Sequence, residues 1–205
     1  MFSRRRAAQL GLGVTLVLFV CSIGVLLASH RTASYTPGPR APDFTLADLS
    51  GKSHQLEAYR GQVVVLIFAS VSCPVSNDYR YRMGRFADQF VGKDVRVFSV
   101  NSFVPASDTA TISQIRAQKR AARQDYPTLL DPTGEVARAY GVTVTPTVVL
   151  VGHKGLIRYQ GAFDDNQNEA QVRHHYCEDA VRSVLAGQPP RIAFTQAFGC
   201  LLQPR

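Results

Sequence analysis

The first forty residues contain no acidic residue, and Leu10 to Ala28 contains no charged residue of either sign. The first absence concentrates positive charge. Arg4, Arg5, Arg6, Arg31 and Arg40 supply +5 of the formal net charge of +8, so the remaining residues carry +3. A remainder that close to neutral offers no basic footprint for nucleic acid. Its one basic run, Arg116 to Arg123, lacks interleaved aromatics and reads as the solvated face of a helix. No two of the four cysteines form a Cys-x-x-Cys or Cys-x-x-x-Cys pair. That excludes a dithiol or a copper clamp built within one turn of helix. No internal repeat occurs, which excludes solenoids and propellers.

The uncharged run Leu10–Ala28 is 19 residues, or ~28 Å as a helix, enough to cross a hydrocarbon core. The arginines before it orient it with the N-terminus inside and the rest outside. An uncleaved anchor is the favoured reading. The competing one is a cleaved signal peptide, for which Leu26-Leu27-Ala28 is a poor site and a cut after Thr32-Ala33-Ser34 an alternative. Ser3-Arg4-Arg5 has the outline of a twin-arginine signal, with Ala7 and Ala8 in place of its bulky apolar pair. Phe19-Val20 is too bulky before Cys21 for lipidation. Every version places the downstream domain outside the cytoplasm, on the periplasmic side of the cell membrane. The expected organisation is a cytoplasmic stub at 1–9, the anchor at 10–28, a linker at 29–40, one domain at 41–187 and a tail at 188–205.

From Ala41 the pattern is globular, with 45% hydrophobic residues over the whole chain. Phe44-Thr45-Leu46 alternates, Ser50-Gly51-Lys52 turns, and Gln55-Leu56 opens a return strand. Val63 to Phe68 is six apolar residues, mostly β-branched, and predicts a strand buried on both faces. Pro74 suits the first turn of a helix. Tyr79, Met83, Phe86 and Phe90 then recur on one apolar face. Val95–Val100 predicts a strand, Ser107-Asp108 a cap for a helix carrying Ile112 and Ile115, and Thr128–Leu130 a short strand. Glu135–Tyr140 predicts a short helix after the Asp131–Gly134 turn. Thr147–Val151 and Leu156–Gln160 form a hairpin, and Glu169 to Leu185 a long amphipathic helix. The alternation of strands and helices predicts an α/β fold with a central mixed sheet, flanked by helices.

Several segments resemble the redoxin domains, which include the peroxiredoxins and membrane-tethered thioredoxin-like proteins. Ala41-Pro42-Asp43-Phe44, Leu56, Gly61 and the Val63–Phe68 strand resemble their opening. Gly141 to Pro146 (GVTVTP) is similar to the segment ending in their cis-proline. The branch with a Cys-Pro-x-Ser-Asn-x-Tyr motif is matched by Cys73 to Tyr79. Its Tyr-x-Gly-x-x-Asp-Asp segment is matched by Tyr159 to Asp165, and its terminal Gly-Cys by Gly199-Cys200-Leu201-Leu202. The resemblance implies a thioredoxin-like fold with an N-terminal β extension, and a cis Thr145–Pro146 bond packed against Cys73. It implies no dissociable cofactor.

The residues carry a chemical case of their own. A cysteine between a strand and a helix N-terminus lies at the positive end of the helix dipole, which favours the reactive thiolate. Cys73 is the expected nucleophile, supported by Ser70, Ser72, Pro74 and Ser76, with Thr145 and Pro146 shaping the substrate surface. A mixed disulfide needs a second thiol to resolve it, and Ser76 cannot serve. Cys200 is the candidate if the tail folds back; its other reading is a permanently bonded or inert cysteine. Cys177 shares an apolar stripe with Val181 and Val184 and reads as packing.

Two uses of the thiolate stay open: disulfide exchange, and peroxide reduction through a sulfenic acid. Ser70-x-x-Cys73 resembles the peroxiredoxin motif. Leu66 stands where its proline would be, and Thr145 where its arginine would be. The expected partners are protein thiols or disulfides, or a peroxide, with a thiol electron donor and the membrane. Two other classes compete. One is a non-catalytic thioredoxin-fold interaction module. The other is copper handling through Cys73 and a histidine from among His30, His54, His153, His174 and His175. His174 with Glu178 is the best-spaced pair if that stretch is helical, although no metal site is assigned. Asp164-Asp165 has two readings, orienting the site or capping a loop, and the loop cap is favoured.

Overall fold

A computed structural model describes residues 38–203. The stub, the apolar run and most of the expected linker lie outside the described residues. Among the described residues no helix is long and apolar enough to cross a membrane.

The strands are β1 (Thr45–Asp48), β2 (Ser53–Gln55), β3 (Val63–Phe68), β4 (Val95–Ser102), β5 (Thr128–Asp131), β6 (Val144–Thr145), β7 (Thr147–Val151), β8 (Ile157–Gly161) and β9 (Cys200–Leu201). The α-helices are α1 (Pro74–Asp88), α2 (Thr109–Ala121), α3 (Glu135–Ala139) and α4 (Tyr176–Leu185). Seven strands form one sheet in the order β2-β1-β5-β4-β3-β7-β8, and β6 pairs with β9 apart from it. β3–β4 and β4–β5 are parallel, as crossover helices require, while β7 returns antiparallel to β3. This is a thioredoxin-like α/β fold with a mixed central sheet, and β1–β2 is its N-terminal extension.

β3 is buried along its whole length. Its side chains alternate between two cores. Val63, Val65 and Ile67 join Tyr79, Met83, Phe86 and Phe90 of the α1 side and Cys177, Val181 and Val184 of α4. Val64, Leu66 and Phe68 join Phe44, Leu46, Val136 and Tyr140 on the other face. A strand covered on both sides has no polar face, which is why the six-residue apolar run was readable.

The structure departs from expectation in three places. Leu56 opens a 3-10 turn, Leu56–Tyr59, rather than joining β2. The linker ends earlier than residue 40, because the Ile157 N–H donates to the Pro39 carbonyl at 2.8 Å and the Ala41 N–H to that of Gly155 at 3.0 Å. The long helix is replaced by a 3-10 turn at Glu169–Gln171, an irregular stretch and the shorter α4. Asp165 is the reason. Its carboxylate accepts from the Arg173 N–H at 2.9 Å and its own N–H donates to the His174 carbonyl. Those bonds compete with helical ones across the gap.

The β1–β2 turn is organised by Asp48. Its carboxylate accepts from the Ser50 and Lys52 N–H groups and lies 2.9 Å from His54 Nε2. Partial burial opposes ionisation, but hydrogen bonds from Ser50, His54 and Lys52 outweigh it and lower the carboxyl from 3.8 to about 2. A folded-state pKa depressed in this way contributes stability above the unfolded value, lost as pH falls through the folded one. The stability gap between wild type and Asp48→Asn, measured by urea denaturation, should therefore narrow from pH 4 to pH 2. A gap constant across that window would rule this account out.

Candidate active site

Cys73 follows the carboxyl end of β3, where the chain turns from sheet to helix. Its N–H donates to the Ser70 carbonyl at 3.1 Å, closing the turn. Asn77 Nδ2 donates to the Val71 carbonyl at 2.9 Å and holds the turn against the helix. Cys73 is itself the N-cap of α1, with extended backbone angles and Pro74 in the first turn. Its sulfur accepts from the Ser76 N–H at 3.4 Å. The sulfur therefore occupies the place of a capping oxygen, facing orphan N–H groups at the positive helix end.

The serines divide the work differently from expectation. Ser76 reaches the sulfur through its backbone N–H, while its hydroxyl accepts from the Ser70 N–H at 3.4 Å. The Ser70 and Ser72 hydroxyls bond each other at 2.9 Å.

The Thr145–Pro146 peptide is cis. The Thr145 carbonyl oxygen lies 3.1 Å from the Cys73 sulfur. In a thiol the S–H can donate to that oxygen, whereas a thiolate would meet its negative end. The carbonyl thus opposes the helix start, which favours the thiolate.

The second cysteine arrives on the tail. β9 pairs antiparallel with β6, setting Cys200 opposite Thr145 and Leu201 opposite Val144. The Leu202 N–H donates to the Thr143 carbonyl at 2.8 Å. Cys73 and Cys200 form a disulfide with their Cα atoms 5.7 Å apart. Cys73 is 2% exposed, while Cys200 is partly exposed.

Upstream, the tail is stitched to the free edge of β8. The Gln160 N–H donates to the Ala193 carbonyl and the Thr195 N–H to that of Gln160. The Thr195 hydroxyl accepts from the Ala162 N–H at 2.9 Å and lies 2.6 Å from the Tyr159 hydroxyl. Phe198 then meets the Tyr79 ring edge-on, with centroids 6.2 Å apart.

Beneath that contact lies a buried polar cluster that the sequence analysis did not assemble. Asp164, 1% exposed, accepts from the Tyr79 hydroxyl at 2.6 Å and from Arg82 at 2.7 Å. The Arg82 guanidinium also donates to the Asn166 and Gln167 carbonyls and lies 3.9 Å over the Tyr79 ring. Burial, then the Asp164 bond, pushes the Tyr79 hydroxyl upward. The two expected roles are divided between the pair: Asp165 caps a loop, and Asp164 ties α1, which Cys73 caps, to the chain leaving β8. An arginine beside the apolar stripe of α1 was the available signal.

Cys177 is buried in the α4 core, and burial raises its thiol well above the ordinary value. The helical premise for His174 and Glu178 fails, since His174 precedes α4 and stacks on Tyr176. His54 is held between Asp48 and Tyr59. Among the described residues no group of three or more His, Cys, Asp or Glu side chains could hold a metal ion.

A strand-to-helix cysteine beside a cis-proline, on this sheet order, defines the thioredoxin-like class. The chain belongs to the AhpC/TSA family, whose profile matches residues 37–160, and it is a thioredoxin-like oxidoreductase. It is 29% identical over 151 residues to the thiol-disulfide oxidoreductase ResA of Geobacillus thermodenitrificans, covering 71% of this chain and 82% of that one. ResA of Bacillus subtilis is 27% identical over 158 residues, with 75% and 84% covered. Among solved structures, a hypothetical protein from Sinorhizobium meliloti superposes with a TM-score of 0.74 at 28% identity, with 84% of this chain and 96% of that one covered.

Two measurements follow from this geometry. Arg82→Met leaves Asp164 buried without its cation and should cost about 3–5 kcal/mol in urea denaturation; a loss below 1 kcal/mol would discount the cluster. In the reduced native protein, iodoacetamide should leave Cys177 unlabelled by mass spectrometry until denaturant is added. Native labelling at Cys177 would contradict its burial.

Proposed function

We propose that the protein is a thiol-disulfide oxidoreductase in which Cys73 is the nucleophile and Cys200 the resolving thiol. The observation that carries this reading is the tail ladder, which presents Cys200 to a cysteine already placed at a helix start. In the reductive direction the Cys73 thiolate attacks one sulfur of a substrate disulfide, and the leaving thiolate takes the electron pair. Cys200 then attacks the Cys73 sulfur and releases the second substrate thiol. Two electrons pass to the substrate, and the protein is left with the Cys73–Cys200 disulfide. A thiol donor returns it to the dithiol.

Exchange is preferred to peroxide reduction. Thr145 contributes a carbonyl beside the sulfur where a peroxidase would want a cation, and Arg82 is committed to Asp164, Asn166 and Gln167. Relatives named thiol-disulfide oxidoreductases support the same choice. The substrates on this reading are protein thiols and disulfides. The Leu10–Ala28 run supports a single-pass tether with the redox domain on the extracytoplasmic side.

Thiol mapping by mass spectrometry tests the chemistry. The reduced chain is given oxidised glutathione or hydrogen peroxide in small excess. A Cys73–Cys200 disulfide should form with both, faster with the disulfide, and reverse with dithiothreitol; Cys73→Ser should abolish it. If Cys73 stays unmodified and alkylates at the rate of an ordinary thiol, the catalytic reading fails. Faster oxidation by peroxide would turn the assignment to a peroxidase.

A further inference from the structure

The tail leaves the edge of β8 at Thr195. The backbone N–H of Thr195 donates to the Gln160 carbonyl at 3.1 Å. Its hydroxyl closes a ring of three hydrogen bonds. The Ala162 N–H donates to Thr195 Oγ1 at 2.9 Å, and the Tyr159 hydroxyl donates to the Ala162 carbonyl at 2.5 Å. The single phenol proton is thereby used, so Thr195 is the donor across the 2.6 Å contact between the two hydroxyls. Tyr159 and Ala162 are both buried, and loss of the threonine hydroxyl would leave their groups without a partner in the seat. Gly161 makes room for the seat. A Cβ there would lie 2.8 Å from the Thr195 nitrogen and closer still to its carbonyl and hydroxyl oxygens.

The chain leaving β8 serves both cysteines. Ala162 seats Thr195, five residues before Cys200. Just beyond it, Asp164 holds Tyr79 and Arg82 of α1, the helix that Cys73 caps. The nucleophile and the second thiol are thus referred to one stretch, Gly161 to Asp164. Five residues reach ~17 Å when fully extended. With Thr195 seated, Cys200 stays within that radius of its pivot even when the disulfide is open. Upstream of Thr195, the chain is next fixed at Pro190, which is buried, and at the end of α4, Leu185.

We propose that Thr195 is a positioning residue for the resolving step. Its hydroxyl pins the tail and so sets the local concentration of Cys200 around a mixed disulfide at Cys73. It acts through the length of the free arm rather than at either sulfur. Unseating Thr195 lengthens that arm from five residues to ten or fifteen. Local concentration falls as the three-halves power of length, so the dilution is about three- to fivefold. This inference rests on the reading of Cys73 as nucleophile and Cys200 as resolving thiol.

The test follows the reduced full chain with one equivalent of 5,5′-dithiobis(2-nitrobenzoate) by stopped-flow absorbance. The Cys73 thiolate attacks one sulfur of the reagent. The mixed disulfide forms, the reagent S–S bond breaks, and the first thiobenzoate leaves with the electron pair. Cys200, its proton lost to solvent, then attacks the Cys73 sulfur. The Cys73–Cys200 bond forms and the second thiobenzoate leaves. This second release is first-order and independent of reagent concentration. Cys200→Ser should lose it and keep the first. The double variant Cys73→Ser, Cys200→Ser supplies the background from Cys21 and Cys177.

Thr195→Val removes both side-chain bonds at nearly constant shape. It should slow the second release about three- to fivefold and leave the first unchanged. Thr195→Ser keeps the hydroxyl and should restore the wild-type rate. Gly161→Ala lifts the same residue from the opposite side and should also slow the second release, which keeps the comparison if Thr195→Val folds poorly. A second release unchanged in both variants would overturn the inference while leaving Cys73 reactive. Equal slowing of the two releases would also overturn it, since that marks general damage rather than positioning. No first release above background in the wild-type chain would instead remove the proposed nucleophile.

Discussion

Val63–Phe68 is hydrogen-bonded on both sides and buried on both faces, and the site inherits its geometry from that strand. Its parallel ladder with β4 and its antiparallel ladder with β7 are in register over most of its length. Phe68 stands opposite Thr147, the residue after the cis-proline. The turn bearing Cys73 and the segment bearing Thr145 therefore meet because both leave the same end of one ladder. Each fully buried aliphatic side chain contributes about 1.5–3 kcal/mol, so a shift of register would forfeit several such terms at once. A sulfur 3.1 Å from a carbonyl 72 residues away is held by packing rather than by local chain preference.

The tail solves two problems of exposure. β6 is a two-residue strand with open backbone groups, and β8 is an outer strand of the main sheet. Such edges invite pairing with foreign chains. Ala193–Thr195 covers β8 near Gln160, Pro39–Ala41 covers it near Ile157, and Cys200–Leu202 covers β6. The β6 ladder alone is short. The disulfide spans 127 residues of sequence, and in the chain-entropy model a closure of that length is worth about 5 kcal/mol. That term acts through the unfolded chain; in the folded one the Cys73–Cys200 bond itself keeps the short β9 strand beside β6.

The parts of this fold that were legible in the sequence are those whose signal is local. The run Val63–Phe68, the stripe Tyr79–Met83–Phe86–Phe90 and the Asp108 cap each declare themselves within a few residues. Cys73 at a helix start was legible for the same reason. The Glu169–Leu185 stretch misled because its periodicity continues through a segment whose backbone is claimed by Asp165. Arg82, Tyr79 and Asp164 were not legible as a unit because more than eighty residues separate the partners. The meeting of Cys200 with Cys73 was legible only as a chemical need for a second thiol. The ladder that delivers it rests on two backbone segments with no side-chain signature beyond Gly199.

The entry of the chain into the domain has a mechanical meaning. Pro39 and Ala41 bond to Ile157 and Gly155, beside the end of β7 that lies opposite the start of β3. Cys73 follows the other end of β3, a strand of six residues and so ~17–20 Å away at ~3.3 Å per residue. The described chain therefore enters the domain at the end of the sheet remote from the sulfur. A load applied there is taken by β7, β8 and their turn. The Cys73 turn and the β6 edge lie at the opposite end of the sheet from Pro39 and Ala41.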